Sequence, residues 1–90
     1  MQLLVRNAVR DFDTWRAYLK QDTAAAAEYG LTLERLWRSQ DDPNVAFFLF
    51  EVEDRDRAEA FMARPESAEI GQASGVLEGE AYFIQALPLD

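Results

Sequence analysis

The sequence predicts an α+β fold of order βαββαβ, the ferredoxin-like arrangement: a four-stranded antiparallel sheet with the helices on one face. Three observations carry this expectation. Residues 45–52, Val-Ala-Phe-Phe-Leu-Phe-Glu-Val, form an apolar run too short for a comfortable helix and bounded by turn chemistry, so they read as a central strand. Phe12, Trp15, Leu19, Thr23 and Ala26 recur at three- and four-residue spacing, which places them along one side of a helix. Gly30 and Gly75 each stand where a helical stretch gives way to an alternating one.

Residues 2–9 form the first strand, with Leu3, Val5, Asn7 and Val9 on one face and Leu4, Arg6 and Ala8 on the other. Asp11 or Asp13 caps the first helix, because a short carboxylate can accept from the free amides of a first turn. That helix runs to about Tyr29, and Ala24–Ala27 gives it a thin side suited to close packing. Residues 31–40 alternate as a second strand. Asp41-Asp42-Pro43-Asn44 then turns the chain into the central strand as a hairpin. If those four residues are the whole loop, Trp37 lies opposite Phe48 and Arg35 opposite Phe50. A one-residue change in loop length reverses that assignment.

On the central strand, Ala46, Phe48, Phe50 and Val52 face one way and Val45, Phe47, Leu49 and Glu51 the other. Asp54 caps a second helix that buries Ala58, Phe61 and Met62, and Pro65 interrupts it. Residues 66–74 form a short further helical piece. Residues 79–87 form the last strand, with Tyr82 and Ile84 facing opposite Phe83 and Gln85. The central strand is apolar on both faces and needs cover on both. The helices cover one face. Leu4, Leu36, Phe47 and Leu49 remain on the other, and an apolar sheet face of that kind marks an interface. The simplest cover is the same face of a second copy, a homodimer.

Ninety residues make one domain, spanning 1–90, with one core and little to spare. There is no Cys, so neither disulfides nor thiolate chemistry are available. No signal peptide and no membrane-length apolar run are visible, so the expected location is cytoplasmic, with no membrane partner. The formal charge of −8 sets most of the surface against nucleic acid. The absence of His removes the commonest general acid/base near neutral pH and the commonest nitrogen ligand for a metal.

Two families share this element order. Over nearly its full length the chain resembles the dimeric α+β barrel superfamily, which includes the antibiotic-biosynthesis monooxygenase-like proteins. The matching features are Val5-Arg6-Asn7, the run from Val9 to Trp15, Asp41-Asp42-Pro43-Asn44 ahead of the apolar strand, Val52-Glu53-Asp54 leading to Ala60-Phe61, and Pro65-Glu66 followed by Gly75-Val76. The resemblance implies a dimeric α+β barrel closed by two sheets. It also implies, in the enzymes, a pocket in each subunit between the sheet and its own helices. The haem-degrading members carry an Asn on the first strand with a Trp and a His. This chain has Asn7 but no His, which excludes haem degradation of that kind. The cofactor-free oxygenases of the superfamily rely on Tyr, Trp, Asn and Arg side chains to deprotonate and position a phenolic substrate. The second family is the RNA-recognition motif. Leu3–Asn7 and Val45–Phe50 are similar to its two short strand motifs. Leu4 and Val45 sit where stacking aromatics are expected, and Pro43-Asn44 replaces the basic-Gly pair.

The expected function is a homodimer that binds a small aromatic or apolar metabolite, with the chemistry of a cofactor-independent monooxygenase or an isomerase. A non-catalytic dimeric protein is the alternative, and an RNA binder the third. The candidate ligand-binding residues are Asn7, Trp15, Arg35, Trp37, Phe50 and Phe61, with Tyr18, Tyr29 and Tyr82 as further donors. A guanidinium beside an indole, as Arg35 and Trp37 would provide, suits an anionic or planar ligand. Glu34 and Glu51, if opposite each other and buried, would raise each other's pKa. No residue is assigned a catalytic role, and neither cofactor nor metal is expected. A sheet–helix cavity of roughly 300 Å³ or more with two converging polar groups would favour a ligand site, and a filled core a structural role.

Overall fold

The computed structural model describes residues 1–90. The elements run β1 (Gln2–Val9), α1 (Phe12–Glu28), β2 (Leu31–Arg38), β3 (Val45–Val52), α2 (Arg55–Ala63), α3 (Pro65–Ser74) and β4 (Val76–Ile84). The four strands form one antiparallel sheet in the order β2-β3-β1-β4. The most apolar strand, β3, takes a central place beside β1, as a strand that needs cover on both faces must.

Local chemistry sets the boundaries. Asp11, not Asp13, caps α1: its Oδ2 accepts from the Thr14 amide at 3.0 Å and from the Thr14 hydroxyl at 2.7 Å. Those two bonds hold the Asp11 carboxyl below its ordinary pKa. Gly30, at φ 76°, turns the chain into β2 through the left-handed region, where a Cβ would also meet the Glu53 side chain at 2.9 Å. Asp54 Oδ1 accepts from the amides of Asp56 and Arg57 and starts α2. Pro65 does not merely interrupt that helix. It begins α3 at a first-turn position, where a missing amide proton costs nothing.

The core lies between the sheet and the helices. Leu3 and Val9 of β1, Ala46, Phe48, Phe50 and Val52 of β3, Leu31, and Phe12, Trp15, Ala26, Ala58 and Phe61 of the helices are its buried members. The rings of Trp15 and Phe48 stand 5.5 Å apart, and those of Phe48 and Phe50 meet edge to face at 5.7 Å.

Two strand assignments change. Strand β4 starts at Val76, three residues earlier than the alternation predicts, and ends at Ile84. A register shift between the Ala8/Glu78 and Val9/Val76 pairs hides its first residues from a simple period-two reading. Strand β2 ends at Arg38, and its register differs from the sequence-based one. Ser39 donates its amide to Val45 O, so the hairpin loop holds one residue more than the turn motif. The Ser39 hydroxyl accepts from the amides of Asp41 and Asp42, and Asp42 accepts from the amide of Asn44, which fixes this longer loop. Trp37 therefore lies opposite Phe47 rather than Phe48, and Arg35 opposite Leu49 rather than Phe50. Both point away from the helices. Leu36, expected on the outer face, lies opposite Phe48 and packs on the core.

A bulge then corrects the parity. The register slips between Leu33 and Arg35, leaving Glu34 as the extra residue, so Leu33 returns to the inner face opposite Phe50 and Leu31 opposite Val52. Glu51 pairs with Thr32, so Glu34 and Glu51 are not partners.

The outer sheet face carries Leu4, Phe47 and Leu49 at its centre, all half-buried, with Trp37 at one edge and Tyr82 and Ile84 at the other. Arg6 sits 3.7 Å from both Glu78 and Glu80 on the same face, and Tyr82 donates to Glu80 at 2.6 Å. That bond, together with the charge of Glu80, pushes the Tyr82 hydroxyl above its ordinary pKa. No helix is long and apolar enough to cross a membrane.

Candidate functional site

Between the inner sheet face and the helices lies a cavity of about 170 Å³. Strand β1 contributes Leu3, Val5 and Asn7; β3 contributes Phe48 and Phe50; α1 contributes Trp15, Tyr18 and Asp22. Helices α2 and α3 close it with Phe61, Met62 and Ile70. Most of the wall is apolar, as alternation on the strands and the stripe on α1 require.

Four of the six expected ligand-binding residues, Asn7, Trp15, Phe50 and Phe61, line this one cavity. The other two do not. Arg35 and Trp37 lie on the outer face, and Trp37 keeps 45% of its surface exposed. Of the tyrosines, Tyr18 lines the cavity. Tyr29 packs on Phe61 at 5.5 Å, and Tyr82 sits on the outer face. Met62, expected in the core, is partly exposed at the cavity wall. Of the residues expected at an interface between copies, Leu4, Phe47 and Leu49 are on the outer face and Leu36 is not.

Asn7 owes its place to Gly79. The two residues are paired across β1 and β4, and a Cβ on Gly79 would come within 3.2 Å of Asn7 Oδ1. The missing side chain leaves the Asn7 amide room on the inner face.

Asp22 is the residue that sequence reasoning missed. It falls seven residues after Trp15 and four before Ala26, on the apolar side of α1. A carboxylate in the middle of such a stripe is the signal that marks it. Arg64, at the junction of α2 and α3, donates from Nη2 to Asp22 Oδ1 at 3.4 Å. The same guanidinium donates to Phe61 O and to the Ser67 hydroxyl, and it lies 4.1 Å from the centre of the Phe61 ring. Asp22 is thus held in place by a fixed cation. Burial nonetheless pushes the Asp22 carboxyl above its ordinary pKa, outweighing the opposing charge and hydrogen bond of Arg64.

No protein donor reaches the second Asp22 oxygen, and no side-chain hydrogen bond engages the Asn7 amide or the Tyr18 hydroxyl. No side-chain N or O atom is sealed away without a partner, so these groups keep access to solvent or to the cavity. An apolar space with a few unengaged polar groups on its wall is the chemistry of a small-molecule site. There is no cluster of three or more Asp and Glu side chains arranged to hold a metal ion.

A larger space of about 470 Å³ is a groove between α1 and β2, lined half by polar residues such as Asp13, Arg16 and Lys20. It shares Leu19 with the sheet–helix cavity but brings together none of the expected ligand-binding residues.

The arrangement of sheet and helices has known counterparts. An antibiotic biosynthesis monooxygenase superposes with a TM-score of 0.72 at 15% identity, over 97% of this chain and 98% of the other. The chain has the fold of the antibiotic biosynthesis monooxygenase-like proteins. A candidate antibiotic biosynthesis monooxygenase from Bordetella bronchiseptica gives a TM-score of 0.78 at 16% identity, covering 97% of this chain and 96% of that one. SnoaB, a cofactor-independent oxygenase from Streptomyces nogalater, gives 0.66 at 17% identity, covering 99% and 96%. No protein-family model matches the sequence, and no curated protein matches it. Identities this low establish the fold and leave the chemistry to the chain's own residues.

Proposed function

We propose that the protein is a homodimer that binds a small aromatic or apolar metabolite in the cavity between its sheet and helices. We further propose that it acts on this metabolite as a cofactor-independent monooxygenase. The observation that carries the reading is the cavity itself: an apolar space on which Asn7, Tyr18 and Asp22 present unengaged polar groups. Trp15, Phe48 and Phe50 offer aromatic surface for a planar ligand. The fold shared with a cofactor-independent oxygenase supports the choice of reaction by analogy. Leu4, Phe47 and Leu49 support the dimer: they make an apolar sheet centre that another apolar surface would cover favourably.

The size of the cavity favours a second reading, a non-catalytic dimeric protein. At about 170 Å³ it falls short of the roughly 300 Å³ at which drug-sized ligand pockets begin. It matches instead the roughly 150 Å³ that a benzene-sized molecule occupies in an apolar protein cavity. RNA binding is disfavoured by charge. Glu51, Glu78 and Glu80 share the outer sheet face with Arg6 and Arg35, so the surface on which bases would stack repels phosphates.

Two measurements test the proposal. Light scattering after gel filtration is expected to give about twice the 10.3 kDa of one chain. Oxygen uptake with a panel of single-ring phenols, without added metal or flavin, is expected to exceed the uncatalysed rate. A dimer that binds members of the panel without oxygen uptake would establish the non-catalytic reading. A monomer at all concentrations would overturn the dimer.

A further inference from the structure

Asp22 gives the cavity a polarity as well as a shape. The carboxylate lines the cavity, but the guanidinium that holds it does not. Arg64 spends its donors behind the wall, on Asp22 Oδ1, Phe61 O and the Ser67 hydroxyl, with its face against the Phe61 ring. A molecule inside the cavity therefore meets the acceptor and not the cation. The Ser67 hydroxyl also donates away from the cavity, to Phe61 O at 2.6 Å, and the Ser74 hydroxyl to Gly71 O at 3.2 Å. Asp22 is the only anionic side chain on a wall that carries no cationic one.

We propose that Asp22 is a specificity-determining residue: the cavity selects a single-ring ligand that carries a hydrogen-bond donor, hydroxyl or ammonium, and rejects carboxylates. This rests on the reading of the cavity as a ligand site. The size restriction follows from the volume, which suits one ring and not two. The preference for a donor follows from the free oxygen of Asp22, since a hydrogen bond to a charged acceptor in a poorly hydrated space is among the strong ones. Rejection of an anion follows because a second carboxylate in the cavity would lie beside the first with no exposed cation to offset it. The Asp22 carboxyl already carries a burial cost that Arg64 does not cancel, so a donor from the ligand relieves an existing deficit.

The test uses the full chain and four probes: phenol, toluene, benzoate and 1-naphthol. Phenol and toluene are nearly the same shape and differ in the donor. Dissociation constants come from NMR titrations that follow the Trp15 indole and Asn7 amide signals. Phenol is expected to bind at least as tightly as toluene despite its better hydration in water. Benzoate and 1-naphthol are expected to be roughly tenfold weaker than phenol or worse. In Asp22→Leu the preference for phenol over toluene should drop roughly tenfold while toluene still binds. If that variant does not fold, Asp22→Asn keeps the shape and should lose part of the preference. Benzoate binding as well as phenol, or a phenol preference unchanged in the variants, would overturn the role of Asp22 with the site intact. Tighter binding of 1-naphthol than of phenol would overturn the size limit. Failure of both toluene and phenol to bind would overturn the ligand site, and this inference with it.

Discussion

Arg64 reaches Asp22 across forty-two positions of sequence, Nη2 to Oδ1 at 3.4 Å, and ties the α2–α3 junction to the middle of α1. Both side chains are largely buried, at 16% and 21% exposure. Removing the guanidinium leaves Asp22 without its donor, takes one of several donors from Phe61 O and strips the cation from the Phe61 face. Arg64→Ala is expected to lower stability by about 1–3 kcal/mol in urea unfolding. A change within error would mean that the junction holds without it.

Asp22→Asn should act in the opposite sense. The Asp22 carboxyl is raised from its ordinary 3.8 by burial. Between that value and the folded one, the folded chain binds more protons than the unfolded chain, so stability falls as pH rises through the window. Above the folded pKa the cost is fully present; below 3.8 it is gone. The variant is therefore expected to melt higher than the parent at pH 7, with a difference that shrinks on acidification. A variant less stable at pH 7 would contradict the raised value. Gain of stability with loss of donor selectivity is what a residue kept for binding should show.

Deleting Glu34 tests the bulge. Without the extra residue, Leu33 and Arg35 become neighbours and alternate, so Leu31, Leu33 and Leu36 keep the inner face and Arg35 the outer one without a bulge. A slip of the pairing would instead carry Leu31, 1% exposed, out of the core at a cost of about 2–5 kcal/mol. The deletion is therefore expected to leave the fold intact, with a melting temperature close to the parent's. An unfolded variant or a sharp drop in melting temperature would show that Glu34 is not the extra residue.

Phe48→Ala should cost about 3–5 kcal/mol, because this ring joins Trp15 to Phe50 at the centre of the core. If the variant stays folded, the enlarged cavity should admit two-ring compounds that the parent excludes. The NMR titration with 1-naphthol reads this directly.

Leu49→Arg places an unpaired charge at the centre of the outer face, opposite Leu4. Against a partner sheet that charge has no solvent and no counter-ion. The variant is expected to be monomeric by light scattering and less stable than the parent. A folded dimer at micromolar concentration would remove this face from the interface.

The central architecture was legible because apolar period and turn chemistry agree with each other along most of the chain. The runs at Leu3–Val9 and Val45–Val52, the stripe on α1 and the caps Asp11 and Asp54 each point to the element that forms. The β2 register was not legible. It depends on one extra loop residue, fixed by the Ser39 hydroxyl, and on one bulged residue, Glu34. Neither changes composition, yet together they decide which face Arg35, Leu36 and Trp37 occupy. The site was half legible. Asn7, Trp15, Phe50 and Phe61 announce themselves as inner-face residues of regular elements. Asp22 was hidden because its partner, Arg64, lies at a helix junction marked in the sequence only by the following proline.

The most direct test is a map of where a small apolar ring binds. Toluene or phenol titrated into the labelled protein should shift the signals of Asn7, Trp15 and Tyr18 together, with the half-exposed indole of Trp37 unaffected. Shifts confined to Trp37 and the outer sheet face, or no saturable shift at all, would contradict a ligand site between the sheet and the helices.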